Sequence, residues 1–479
     1  MSPVTFLSRR QLLQSSGLGV GTIALACMLK ADTPDQRPLD LRPKLGHFPA
    51  KVRSVIQLVQ NGGPSHVDLF DPKPELTKRD GQLHNVKVEM FQPGSEANQL
   101  MASPFEFRKF GQCGMDFSEA LTHTPTLADD ICLIRSMKSE HNNHLEALVM
   151  FQTCKIFPGR PTMGAWISYA LGTENQNLPA YIVLRDPEGY NTSGSLLWDN
   201  GWLPALYRGT EFSSQGAPVL NLRPAKSMPE GVEKANLEFL ARLNEEQRLK
   251  YPGETDLEAR IRNYELAARM QLSAGSIVDI SKESQTTKKL YGIDNPVSAS
   301  YGTRCLMARR LVEAGVRFVQ IFPPIKPSIQ PWDSHSNIKT ELPDICARTE
   351  AGAAGLVKDL KSRGLLDSTL VIWAGEFGRL PVSQNGKGRD HNRNAFSLWM
   401  AGGGFKAGHI HGATDEVGYK SVEKPVSVPD LHATILQQLG FDHMRLIYNH
   451  QGRTETMTDF QVTGAHVVDD LLQSPAKTG

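Results

Sequence analysis

Acidic and imidazole side chains stand close together at several places in this 479-residue chain. They are His66-Val67-Asp68, His144, Asp333-Ser334-His335 and Asp390-His391, with Glu376 shortly before the last pair. Imidazole nitrogens and carboxylate oxygens are the donors that hold a divalent ion, and the same groups serve as general acids and bases. A His-x-Asp in a loop often arises by chance. The stronger signal is that these groups follow runs of apolar, often β-branched residues of strand length.

Those runs set the expected elements. Residues 53–60 (R-S-V-I-Q-L-V-Q) read as a strand ending in Asn61-Gly62-Gly63, a turn whose glycines let backbone approach a ligand. Residues 131–136 read as a second strand, and His144 then stands at the start of an apolar helix over 145–153. A helix N-terminus is the usual place to receive an anion, so His144 is expected as a cap, a ligand or a nucleophile. Residues 316–322 form a strand before the loop of Asp333 and His335. Residues 369–374 (T-L-V-I-W-A) form a buried strand that stops at Gly375-Glu376, after which Asp390-His391 loops back. Ligands in open α/β sheets sit at the carboxyl ends of strands, where all these groups fall.

Further strands are expected at 180–184 and 397–401, and helices at 301–314, 342–363 and 428–439, the last capped by Asp430. Two charged helical stretches, 229–251 and 255–271, read as an insertion at about 229–273 that could act as a lid. His409-Ile410-His411 would present both imidazoles on one face if extended. Tyr190, Trp198, Trp202 and Tyr207 could wall a carbohydrate cleft or simply pack.

Lys plus Arg is 52 and Asp plus Glu is 51, so no bulk field favours nucleic acid or a membrane surface. The N-terminus is charged and then apolar. Ser8-Arg9-Arg10-Gln11-Leu12-Leu13 opens a run without charge to Leu29, closed by Lys30. That layout reads as a secretory signal of the twin-arginine type over 1–30, followed by a polar linker over 31–50. The protein is therefore expected to be exported, periplasmic or secreted, with an uncleaved anchor as the alternative and this segment as the only membrane contact. Twin-arginine export carries folded proteins, often with a metal already loaded. The 6 cysteines show no zinc-like or paired spacing and are expected as free thiols.

R-G-L-L-D-S-T-L-V-I-W-A-G-E-F-G, followed later by P-V-S-V-P-D-L-H-A-T-I-L-Q-Q-L-G, resembles the core of sulfatases and the wider alkaline phosphatase superfamily. The arginine-pair leader, N-G-G-P-S-H-V-D, P-G-R-P-T-M-G-A-W-I-S-Y-A-L-G, G-E-F-G-R and G-R-D-H-N resemble the domain of unknown function 1501 family. The resemblance implies an α/β, alkaline-phosphatase-like domain over 51–450, with a mostly parallel central sheet and helices on both faces, and a C-terminal tail over 451–479. Asp333 and His335 resemble the Asp…His pair that binds one metal in the phosphatase branch, and Asp390-His391 sits where that branch supplies a later His. The departures are plain. Gln60-Asn61 replaces the acidic pair that ends the first strand of a sulfatase, Glu376-Phe377 replaces Asp-His or Asp-Asn, and His144 stands where the nucleophile would be.

The expected function is a metal-dependent hydrolase of phosphate or sulfate esters. Asp333, His335, Glu376, Asp390 and His391 would hold a divalent ion (zinc, calcium or manganese), with His66 and Asp68 as a second cluster. His144 or a metal-bound hydroxide would attack, Glu376 would serve as ligand or base, and Arg379 and Arg389 would neutralise the oxyanion. The substrate would be an anionic ester, such as a sulfated or phosphorylated glycan. A non-catalytic scaffold of the same fold is the alternative. A carbohydrate-acting enzyme with Glu376 and Asp390 as paired carboxylates is a weaker third.

Overall fold

A computed structural model describes residues 39–216, 219, 231–251 and 254–474, so the leader expected over 1–30 lies outside the described residues. Among them, no helix is long and apolar enough to cross a membrane.

In chain order, β1 (Ser54–Val59), β2 (Ile131–Lys138), β3 (Tyr181–Leu184), β4 (Thr210–Glu211), β5 (Phe318–Ile321), β6 (Thr369–Ala374), β7 (Phe396–Ala401), β8 (His409–His411) and β9 (Val426–Ser427) form one 9-stranded sheet. The spatial order is β8-β2-β7-β6-β1-β5-β3-β4, with β9 also paired to β2. Every residue of β1 and β6 is buried, which is why both read as unbroken apolar runs rather than alternating ones. They pair in parallel from Ser54 against Thr369 to Val59 against Ala374, so their carboxyl ends finish side by side. Only β7 runs against its neighbours; the other pairings in this sheet are parallel.

The main helices are α1 (His144–Thr153), α2 (Met163–Leu171), α3 (Val232–Lys250), α4 (Thr255–Val278), α5 (Ala299–Glu313), α6 (Ile338–Ser362) and α7 (Val428–Gln438). They cover both faces, as strand alternation shows. Gln57 accepts a bond from Gln320, which itself accepts from Tyr181, and Gly164 of α2 lies so close to the Tyr181 ring that a Cβ there would clash. Gln60 lies an odd number of residues along from Gln57, hence on the opposite face, and bonds Tyr301 of α5. At α7, Ser427 is the N-cap and Asp430 its reciprocal partner in a capping box, so the cap expected at Asp430 moves to Ser427.

The insertion over 229–273 becomes the α3–α4 hairpin, and α4 extends to Val278. α4 packs on α5 and on the turn Ala205–Tyr207, which precedes β4. The described parts of the segments expected as linker and tail, 39–50 and 451–474, make contacts with the domain. His47 and Phe48 bond the Gly440 carbonyl, and Leu471 and Leu472 are buried in the main core.

Candidate metal centre at the strand ends

The carboxyl ends of β1, β2, β5 and β6 open on one edge of the sheet. Because β7 runs the other way, its beginning lies at that edge, and Asp390-His391, which precede it, arrive beside Glu376. His391-Asn392 and Gly378-Arg379 pair there as two short antiparallel strands.

One carboxylate oxygen is the focus. Asp333 Oδ1 lies 2.8 Å from His335 Nε2, 3.3 Å from His391 Nε2, 3.3 Å from His144 Nε2 and 2.5 Å from Arg379. The Nε2 atoms of His335 and His391 are 3.0 Å apart. The donor atoms of His144, Asp333, His335 and His391 all lie within 4.8 Å of one another. A tetrahedral shell with bonds of about 2.1 Å has edges of about 3.4 Å, close to these separations.

The far nitrogen of each ring fixes its tautomer. His391 Nδ1 faces the Asn142 carbonyl at 2.6 Å, and a carbonyl only accepts, so Nδ1 carries the proton. His335 Nδ1 faces Gln384 Oε1 at 2.5 Å; the Gln384 amide nitrogen donates to the Pro93 carbonyl, which sets the orientation of that side chain. His144 Nδ1 donates to Glu376 Oε1 at 2.6 Å, and its Nε2, 3.3 Å from Asp333 Oδ1, is buried without a hydrogen bond. The Nε2 atoms of His335 and His391 therefore present lone pairs to the same point, and that of His144 does so when its ring is neutral. Such partners behind the ring are what orient histidine ligands of metals.

The local charges act in both directions. Burial would raise the Asp333 carboxyl, but Arg379 and the three imidazoles hold it far below the usual range. Burial, with the charges of Arg379 and His144, pushes His391 down to about 3, leaving it neutral. Burial also opposes protonation of His144, yet Asp333 and Glu376 outweigh it and raise its pKa.

The remaining expected residues play other parts. Glu376 is fully buried and faces His144 rather than the focus, its oxygens accepting from the amides of Gly62 and Gly63 at 2.9 to 3.3 Å. Arg379 donates to the carbonyls of Gly62, Gly63 and Arg389 as well as to Asp333, so it ties the loops together and is not free for an oxyanion. Arg389 is not free either. It clamps Asp68 through two bonds of 2.6 and 3.1 Å, both residues fully buried. Asp68 is thus spent on Arg389, and the second cluster with His66 does not form. His66 donates from Nε2 to the Gly418 carbonyl, and burial lowers its pKa. Asp390 accepts from the amides of Phe91 and Gln92 at 2.6 and 2.9 Å, which anchors that loop, and it supplies no donor to the focus. With both carboxylates so engaged, Glu376 and Asp390 do not make a facing pair.

Three contributors carry no signal in the sequence: Gln384 and the Asn142 carbonyl, which orient histidines, and Phe91, whose ring stacks on His391 at 4.6 Å and 12°. His409 and His411 face Asp470, which already bonds Lys406 and Lys424, so that cluster is a charge clasp at the sheet edge. Trp198 and Tyr207 are buried, and Trp202 stacks on Tyr448 and His450, so these aromatics pack.

No curated protein matches the chain. Among solved structures, it is similar to the lipoteichoic acid synthase LtaP from Listeria monocytogenes, with 11% identity, a TM-score of 0.36 and coverage of 90% of this chain and 78% of that one. It is similar to the phosphonate monoester hydrolase SpPMH from Silicibacter pomeroyi at 12% identity and a TM-score of 0.32, covering 72% of each chain. A third is alkaline phosphatase from the Antarctic bacterium TAB5, at 10% identity and a TM-score of 0.30, covering 74% of this chain and 92% of that one. Residues 52–472 match the family described as "Protein of unknown function (DUF1501)", and the chain belongs to it.

Proposed function

We propose that the chain is a metal-dependent hydrolase of phosphate or sulfate esters. The observation that carries this reading is the convergence of the Nε2 atoms of His144, His335 and His391 on one Asp333 oxygen. Bare nitrogens at 3.0 Å with no proton between them repel, and a cation among them removes that repulsion. A set of nitrogens with one carboxylate oxygen fits zinc or manganese better than calcium, which takes oxygen ligands. A divalent ion there would polarise an ester oxygen and lower the pKa of a bound water.

The chain's own residues would do the rest. Glu376, pinned by two backbone amides, holds the His144 ring with Nε2 toward the site. No side chain caps the first turn of α1, so its amides are available to an oxyanion beside His144. Solvent reaches the focus through Asp333 and His335, whose side chains are 20% and 16% exposed. The arginine-pair leader supports a place of action outside the cytoplasm.

The test is metal analysis of protein exported from its native host, with phosphate- and sulfate-ester hydrolysis before and after chelation. On the order of one ion per chain is expected, with activity lost on chelation and restored by zinc or manganese. A metal-free protein inert on both ester classes would overturn the reading. One observation favours a second reading, an ion that only braces the fold: four protein donors suffice to close a tetrahedral shell. In that case the ion co-purifies and stabilises, but no ester is cleaved.

A further inference from the structure

The loop over 86–94 reaches the focus at Phe91 and is held there by the residues that build the site. Its ends meet where the Gly81 amide bonds the Leu100 carbonyl at 2.9 Å. Between 85 and 97 only Val88 and Ser95 are buried, so little apolar burial holds the tip. Polar bonds to residues 384–393 hold it instead. Asp390 accepts from the Phe91 and Gln92 amides through one oxygen and from the His391 amide through the other. The Asn385 amide donates to the Gly94 carbonyl, and Gly94 (φ +114°) lies so close to the Asn385 side chain that a Cβ there would clash. Arg393 pairs with Glu89 at 2.8 Å. The Phe91 ring covers one face of His391, 4.6 Å away and 12° from parallel. Gln384 touches both sides: its oxygen accepts from His335 Nδ1 at 2.5 Å, and its nitrogen donates to the Pro93 carbonyl at 2.9 Å.

We infer that this loop is a flap that closes as the ion binds, with Gln384 as the positioning residue that couples the two. The inference rests on the ion site of the reading above, not on ester cleavage. An ion fixes the His335 and His391 rings with their Nε2 atoms toward it. The fixed His335 ring sets the Gln384 oxygen toward Nδ1, which leaves the Gln384 nitrogen aimed at Pro93. The fixed His391 ring gives Phe91 a flat face to stack on. Removing the ion leaves two lone pairs facing each other at 3.0 Å, which favours turned rings and loosens both holds on the loop.

The experiment is limited chymotrypsin digestion of the full chain, with saturating zinc and after chelation, scored by mass spectrometry at the Phe91–Gln92 bond. The protease must take the Phe91 ring into its own pocket, so it cuts there only when that ring leaves His391. Cleavage after Phe239, 53% exposed on α3, is the reference. Zinc should slow the cut after Phe91 about tenfold relative to the reference, an ordinary size for coupling between two sites. Gln384→Glu keeps an acceptor for His335 Nδ1 but offers Pro93 no donor. It should therefore bind zinc, checked by competition with a chromophoric chelator, and yet lose the protection. Should that variant fail to fold, the zinc dependence of the parent ratio decides alone. Protection without turnover of any ester would keep the flap and sink the hydrolase reading. Zinc binding with an unchanged Phe91 to Phe239 ratio, or full protection retained in Gln384→Glu, would overturn the inference and leave the ion site standing. A parent chain that binds no zinc would overturn both the inference and the reading on which it rests.

Discussion

Glu376 accepts from two backbone amides and from His144 Nδ1, so its charge goes into orienting one ring. Glu376→Gln keeps the size but can present an NH₂ toward His144, and the ring is then free to turn its protonated nitrogen to the focus. Zinc affinity, measured by competition with a chromophoric chelator, should fall about 10–100-fold, as expected when a residue behind a ligand is lost. Unchanged affinity would remove Glu376 from the site. Asp68 and Arg389, both fully buried, make the opposite case. Asp68→Ala leaves a guanidinium without its partner and should cost about 3–5 kcal/mol in urea unfolding, with little effect on zinc affinity per folded molecule. A large loss of affinity would mean that Asp68 bears on the ion directly. At this scale the sequence shows which groups lie at strand ends but not what each one accepts. Asp68, Asp333 and Asp390 look alike in a string; a guanidinium, three imidazoles and two amides tell them apart. The glycine turn at Gly62-Gly63 has the form of backbone approaching a ligand, and what it meets is the Glu376 carboxylate of the chain itself.

Helix α1 presents His144 at one end and Cys154 at the other, and Cys154 ties it to α7. The Cys154 thiol lies 3.1 Å from His432 Nδ1, and His432 Nε2 donates to the Phe151 carbonyl, all three residues buried. Burial pushes His432 down to about 4 from 6.5. The folded state therefore refuses a proton that the unfolded chain accepts once pH falls below about 6.5. The stability present above 6.5 should decline as pH drops toward 4, by about 3 kcal/mol for this residue alone. Urea midpoints between pH 7 and 4.5 would show it, and His432→Leu should flatten the slope by that share. A variant with the parent slope would show that His432 is not what couples pH to stability. The strands were legible because burial on both faces leaves unbroken apolar runs. The reversed direction of β7 was not, since nothing in 396–401 distinguishes an antiparallel strand from a parallel one.

Across the whole molecule, the focus joins segments remote in sequence: the start of α1, the loop after β5 and the short pairing before β7. An ion held there binds the folded chain and not the unfolded one, so it should stabilise by mass action, by about 2.7 kcal/mol at a hundredfold excess over its dissociation constant. The gain should also be local. Helix α4 packs on α5 and the 205–207 turn and contributes none of the four side chains of the focus, so it serves as an internal control. Hydrogen exchange with and without zinc should slow at residues 142–147, 333–335 and 389–392 and stay unchanged at 232–278. A uniform change, or none at the focus, would mean that zinc acts elsewhere or not at all. Protection at the focus in a protein that cleaves no ester would favour the bracing role. Protection there together with turnover would place the chemistry at the same four side chains.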